Sequence, residues 1–594
     1  MSTTPGGPNG PEFSPESSGP GSTPEYLDSS GPAMAAPGND NKKRLVALGA
    51  LVVGGAVVAG GAWAATSFFS TGAQPAEALP ASTIAYASVD LDPAGGQKIE
   101  AIKTLRKFPA FTDEVNLDTD DDLRERLFEE ITKSGECEGL DYADDVKPWL
   151  GSRAAMAAVD LGEDQPAAVG VVQVSDAGKA EEGMATLVET CGGSTDGEAG
   201  GWVVDGDWMV VAETKDIAQQ VVDATDDGTL AADSAFGEWT GEAGDDGFMS
   251  FYVAKSAAKY LEDAAGMGNM LGVPLGDPLA MTDEPEALGF DEECFADATT
   301  SEEMDACFET STEESPADDS ASGTGSEEIP PELQQMINDF DGAAATVRFD
   351  DGSVEVEYAM SNYQKDLTKF LTSEEGVDMV SDLPEDTIAA FGFSLGDGWA
   401  QGLLDYVKTL APDEAATIDD QLAQFETETG LSFPEDVETL LGEGVTVSVG
   451  SGIDPDAIAN GGPEEIPVGI KIKGDAGDIQ AVLDKISAIA GPEAEQYLQV
   501  TEGDGYAVLA FNDDYRGTLE SDSGLGGSDV YSKVIDGDAQ TVLFVNFDAD
   551  DDWLVRLTQD EPELSKNLEP LSSFGVSGWV DGDVVHGMLK LTTD

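Results

Sequence analysis

Apolar positions follow three rhythms along this chain. The first is unbroken: residues 45 to 69, LVALGALVVGGAVVAGGAWAATSFF, carry no charge. A helix of that length spans roughly 37 Å, enough for a hydrocarbon layer of roughly 30 Å. Lys42, Lys43 and Arg44 abut its start, and the next basic residue is Lys98. That asymmetry predicts a single-pass protein of the cell membrane, with a cytoplasmic N-terminus and the C-terminal bulk outside. The run is too long, and its lead too extended, for a cleaved signal peptide. Residues 1 to 44, rich in Pro, Gly and Ser, read as a disordered cytoplasmic tail.

The second rhythm has period two, and the third is helical. Thr83–Asp90, Ala154–Val159, Ala167–Val174 and Phe248–Val253 alternate and predict strands. Trp202–Val204 and Trp208–Ala212, around Asp205-Gly206-Asp207, predict a hairpin, as do Val347–Phe349 and Val354–Tyr358 around Asp351-Gly352. Lys98–Lys107, Asp121–Ile131, Asp144–Leu150 and Ala177–Glu189 read as helices, the last behind Asp176 as N-cap. Hairpins dominate and no βαβ series stands out, so the fold class is α+β with mainly antiparallel sheet.

The pattern then recurs. Leu79-Pro80-Ala81-Ser82-Thr83-Ile84-Ala85 is echoed by Leu383-Pro384-Glu385-Asp386-Thr387-Ile388-Ala389, and Gly139-Leu140-Asp141-Tyr142 by Gly430-Leu431-Ser432-Phe433. Val169-Gly170 with Asp176-Ala177-Gly178 matches Val468-Gly469 with Asp475-Ala476-Gly477, in the same order. This predicts two copies of one sheet-and-helix unit after the transmembrane helix, residues 79 to 362 and 383 to 594. The first carries an insertion at about 265 to 330. Its stretch from Thr282 to Glu328 holds 17 acidic residues and no Lys or Arg, which predicts a loosely tethered, solvated loop.

Charge changes the picture next. There are 28 Lys plus Arg against 119 Asp plus Glu, a formal net charge of −91. Such a surface repels phosphate backbones, which argues against nucleic acid as a partner. One basic cluster stands apart: Lys98, Lys103, Arg106 and Lys107 on one predicted helix. It is a candidate surface for anionic headgroups, or else a face paired with the chain's own carboxylates. The four cysteines, Cys137, Cys191, Cys294 and Cys307, all follow the hydrophobic run. They suit two disulfides, expected as Cys137–Cys191 and Cys294–Cys307.

Motifs for catalysis are weak. Gly392-Phe393-Ser394-Leu395-Gly396 fits a nucleophile elbow, but its only available base is the single histidine, His586. Asp118, Asp120, Asp122 and Glu129 have calcium-loop spacing, but Leu123 stands where the turn requires glycine. Asp548, Asp550, Asp551 and Asp552 read simply as a helix entry. No catalytic, metal or cofactor-binding residues are assigned.

The run from Leu79-Pro80 to Asp90-Leu91-Asp92-Pro93, then Gly95-Gly96-Gln97-Lys98 and Leu105-Arg106-Lys107-Phe108-Pro109, resembles the bacterial family called domain of unknown function 3352. The resemblance implies a Pro/Gly-rich tail, one helix and an exported domain, and it carries no activity. The functional expectation is a non-enzymatic envelope protein that binds a protein, lipid or wall partner. Its alternatives are a carrier of lipid or another apolar ligand, and an enzyme with an unrecognised site.

Overall fold

The computed structural model describes residues 73–594 except 91–95, 115–120, 133–138, 164, 192–199, 262–337, 351, 363–364, 371–373, 411–414, 454–464, 492–493, 496, 504, 522–523 and 559–560. The expected spanning helix at 45–69, the tail before it and the acidic insertion lie outside these residues. Among the described residues no helix is long and apolar enough to cross a membrane. The longest helices have 15 residues and carry carboxylates along their length. The expectation of a single-pass membrane protein with a cytoplasmic N-terminus is corrected accordingly.

The fold is α+β and its sheet is antiparallel throughout. The first eight strands are β1 (Thr83–Asp90), β2 (Leu150–Val159), β3 (Ala167–Val174), β4 (Gly201–Asp205), β5 (Trp208–Ala212), β6 (Met249–Ala254), β7 (Gly342–Asp350) and β8 (Ser353–Ser361). The next eight are β9 (Ala389–Ser394), β10 (Gly444–Val449), β11 (Val468–Lys473), β12 (Thr501–Glu502), β13 (Tyr506–Ala510), β14 (Thr541–Asn546), β15 (Leu571–Asp581) and β16 (Val584–Thr593). All join one sheet in the order β12-β13-β11-β10-β9-β14-β15-β16-β8-β7-β6-β1-β2-β3-β5-β4. Read outward from the β8–β16 seam, the order is the same on both sides: 8-7-6-1-2-3-5-4 on one, 16-15-14-9-10-11-13-12 on the other. The seam is a ladder of nine residue pairs, from Val584 opposite Ser361 to Thr592 opposite Ser353.

Helices close both faces near the two ends. α1 (Gly96–Leu105), α2 (Pro109–Glu114), α3 (Leu123–Thr132), α4 (Ala177–Thr190), α5 (Lys215–Ala224) and α6 (Ser234–Glu242) belong to the first half. α7 (Glu375–Ser381), α8 (Trp399–Leu410), α9 (Ala415–Thr429), α10 (Glu435–Leu441), α11 (Ala476–Ala490), α12 (Asp513–Leu519), α13 (Ala549–Leu557) and α14 (Pro562–Leu568) belong to the second. On the first face α5 and α6 pack over Tyr86, Val171, Val210 and Tyr252. On the same face of the second half α7 and α12 pack over Ala390, Val508 and Phe544. On the second face α4 covers Val172 and Met209, α1 covers Phe349, and α11 covers Ile472 and Ala507.

Most predicted elements form. Asp176 caps α4 by accepting from the Lys179 amide, and Gly206, at φ +55, turns the β4–β5 hairpin. The predicted helix over Asp144–Leu150 does not form. Asp141 accepts from the Asp144 amide, and the Lys147 amide reaches back to the Tyr142 carbonyl, giving one wide π turn at Tyr142–Val146. The Trp149 indole closes on the Asp145 carbonyl at 2.7 Å, and the chain enters β2 at Leu150. Side-chain and indole hydrogen bonds thus consume the backbone groups a longer helix needs.

Candidate functional site

The seam has opposite chemistry on its two faces. In a strand, successive side chains point to opposite sides. On the first face Arg348, Glu355 and Lys590 stand directly opposite one another across β7, β8 and β16. The Arg348 guanidinium donates to Glu355 at 2.8 Å and to Glu357 at 2.7 Å, and Lys590 lies 3.2 Å from the other Glu355 oxygen. The Glu355 side chain is only 6 % exposed. His586 is buried on this face, stacked on Trp579 at 5.1 Å, with Nε2 3.7 Å from the carboxylate of Glu242 on α6. Charge is therefore inside.

The second face is apolar, and beyond the part of β7 and β8 that α1 covers it lies open toward β9 and β14. Val356 stands opposite Leu589, Leu589 opposite Val576, Val576 opposite Leu543, Leu543 opposite Phe391, and Phe391 opposite Val447. Parallel rows flank this one. Phe393 pairs with Val445, and Val545 with Phe574. No charged residue stands on this side of β9, β14, β15 or β16. None of its side chains on those strands joins a described core cluster. Phe391 is 40 % exposed and Leu543 36 %, and Val576, Leu589 and Val356 are half-buried. From β10 to β8 the row crosses six strands, roughly 24 Å at about 4.8 Å per strand.

The residues singled out from sequence lie elsewhere. In the basic cluster, Lys98 donates to the Asp121 carbonyl at 2.7 Å, and Lys107 reaches Thr593 Oγ1 at 2.7 Å. Lys103, on an exposed side chain, pairs with Glu100. Arg106 is exposed beside them on the turn after α1. Cys191 is disulfide-bonded at the end of α4. Cys137, Cys294 and Cys307 lie outside the described residues. Ser394 is buried at the end of β9, where its hydroxyl accepts from the Gly376 amide at 2.8 Å. Three strand spacings, roughly 14 Å, separate β9 from the strand of His586.

Asp118 and Asp120 are also outside the described residues, and Glu129 pairs with Arg126. Among the described residues no group of acidic, His or Cys side chains could hold a metal ion. Asp122 is instead a structural hub. It accepts from Arg124 Nε at 2.9 Å and Tyr142 Oη at 3.0 Å, and lies 3.3 Å from Lys147. Burial alone would raise its carboxyl, but the hydrogen bond and charge of Arg124, with Tyr142 and Lys147, outweigh burial and hold it at about 2. A depressed carboxylate stabilises the fold above its unfolded value near 4, and that stabilisation is lost as pH falls toward 2. Asp122→Asn is therefore expected to cost about 2 kcal/mol at neutral pH. Denaturant melts should show the gap from wild type narrowing below about pH 4 and closing near pH 2.

A depression of about 640 Å³ opens between the end of β9, α8, α10 and α11, with Asp397, Glu435, Glu438, Glu443, Asp475 and Asp478 around it. Several of these have local partners. Glu438 accepts from the Ala400 amide, Asp475 caps α11, and Lys473 pairs with Glu375 nearby.

Sequence reading missed the apolar row because alternation alone marks valines as core and charges as surface. Phe391 and Phe393, two apart at 5.4 Å between ring centroids, were the available signal. Residues 45–269 match the family described as "Protein of unknown function (DUF3352)". No curated protein matches the chain, and no solved structure does.

Proposed function

We propose that this chain, a member of the DUF3352 family through residues 45–269, is a non-enzymatic binding protein for a long-chain acyl lipid. The lipid lies along the second face of the central strands. One observation carries the reading: the charged residues at the seam are buried, while the apolar row on the other face runs out to exposed Leu543 and Phe391. An apolar band of this kind costs free energy in water unless something covers it. Its length, with no charge along it, suits an extended hydrocarbon chain better than a folded protein partner, whose interface would bring a polar rim. The recurrence of strand order about the seam fits two copies of one unit, joined so that their inner strands form a single seat.

The net charge of −91 sets the class of headgroup. A neutral or zwitterionic lipid reaches this protein without repulsion, whereas a free fatty-acid anion is opposed. The test is a titration of the full chain with the neutral probe N-phenyl-1-naphthylamine. Saturable fluorescence enhancement is expected, reversed by a long-chain alcohol at lower concentration than by the carboxylate of equal length. At low salt the difference should widen, because screening is weakest there. Enhancement that never saturates, or none at all, removes the reading.

A further inference from the structure

Each half follows its first strand with a helix, α1 after β1 and α8 after β9. In the first half that helix is seated on the sheet. Ala101 and Ile102 of α1 are fully buried, and Ala101 packs with Phe248 and Phe349, beside Val89 and Val347 on the second face. In the second half the helix buries Ala400 in its first turn and packs chiefly on other helices. α8 packs on the short helix Lys365–Thr368, on α9 and on α10. Its Leu403 and Val407, one turn apart on one side, are each 40 % exposed. α9 beside it has no buried residue, and its Phe425 is 47 % exposed.

Strand register locates the vacant counterpart of the α1 seat. Val89 is opposite Met249 and Phe251 opposite Ala345 in the first half; Phe393 is opposite Thr541 and Leu543 opposite Val576 in the second. The surface that α1 covers through Val89, Phe251 and Phe349 is thus Phe393, Leu543 and Val580 in the second half. These belong to the open apolar band. The segment that carries α8 is bounded by left-handed glycines, Gly398 at φ +76 before α8 and Gly430 at φ +72 after α9. Nothing lies within 4 Å of a side chain built at either, so both are free to turn. Positions of this kind absorb the dihedral change of a hinge.

We infer that α8 is a lid with two seats: the present one, and a closed one on Phe393, Leu543 and Val580, where it takes the place α1 takes in the first half. The purpose of the lid rests on the ligand reading above, because closed α8 and the lipid compete for one surface. Its mechanics do not. In the present seat Gly402 lies against Phe370, so close that a methyl group there would stand 2.2 Å from the ring. Gly402→Ala must push the Phe370 ring aside to keep the open seat, and so weakens that seat by the contact the ring gives up. Leu403→Asp with Val407→Asp disfavours the closed one, at two positions that are 40 % exposed in the present seat.

Spin labels on keto amino acids introduced at Gln401 and Asp581, both exposed, read the lid directly in the full chain. Two distance populations are expected without ligand. The shorter should grow in Gly402→Ala and vanish in the double aspartate variant. A single distance, unchanged by either variant, overturns the lid. Affinity for N-phenyl-1-naphthylamine should rise several-fold in the double aspartate variant and fall several-fold in Gly402→Ala, because apparent affinity scales with the open fraction. A lower affinity in the double aspartate variant would mean that α8 touches the ligand rather than competing with it, and overturns the proposal. Two distance populations without any probe binding would leave the lid standing and remove the ligand reading alone.

Discussion

Replacing Glu355 with alanine is expected to destabilise the protein by about 3–5 kcal/mol, the usual cost of removing one partner from a buried ion pair. Glu355 is the middle member of a three-strand ladder, with Arg348 on one side and Lys590 on the other. Arg348 is on β7 of the first half and Lys590 on β16 of the second, so this carboxylate lies across the seam. Its loss leaves a guanidinium that is 12 % exposed with Glu357 as its carboxylate partner beside the Asp245 carbonyl, and an ammonium that is 21 % exposed without its opposite charge. The Ser353 hydroxyl loses its 3.1 Å contact as well. Removing the whole ladder should cost far less. Arg348→Met, Glu355→Leu, Glu357→Gln and Lys590→Met together replace the ladder's charges without leaving Glu357, the other partner of Arg348, unpaired, and such replacement is often neutral in buried sites. Urea melts of the single and quadruple variants decide the matter. A single variant as stable as wild type would show that the ladder contributes nothing to the seam.

Leu543→Asp, and separately Phe391→Asp, should each abolish probe binding, with affinity reduced at least about 100-fold. A bound chain lying over the row must strip water from the new carboxylate. Burying an uncompensated charge costs several kcal/mol, and each 1.4 kcal/mol is tenfold in affinity. Stability should change little, by about 1 kcal/mol, because both side chains already face solvent over more than a third of their area and the substitution mainly loses strand propensity. Ile489→Asp is the control. Ile489 is 54 % exposed on α11, away from the row, and its substitution should leave affinity unchanged. Equal losses in all three variants would point to a general effect of added charge and count against a site at Leu543 and Phe391.

Much of the chain was legible in order. Ala167–Val174 forms the strand its alternation predicted, Asp176 caps the helix behind it, and the echo of Leu79–Ala85 in Leu383–Ala389 anticipates the matching places of β1 and β9. These are local facts: alternation, a capping side chain and a turn glycine act within a few residues. The turn at Tyr142–Val146 was misread because its apolar spacing suits a helix, while hydrogen bonds from Asp141, Lys147 and Trp149 close a wider loop. The basic cluster was legible as charge. Its contacts were not, since Lys107 finds Thr593 at the far end of the sequence.

The sequence by itself determined that β7, β8 and β16 have one charged and one apolar side, because residues two apart share a face whatever surrounds the strand. It could not determine which side is covered. Val354-Glu355-Val356-Glu357 reads identically with its valines inside or its glutamates inside, and the usual hydrophobic rule chooses the valines. Tertiary structure buried Glu355 and left Val356 only half-covered. α6 and the turn after it approach His586 and Glu357 on the first face, while Phe391 and Leu543 stay exposed on the second. That choice is made by long connections between strands far apart in sequence, such as β8 with β16. No period-two pattern records the direction in which such a connection crosses the sheet.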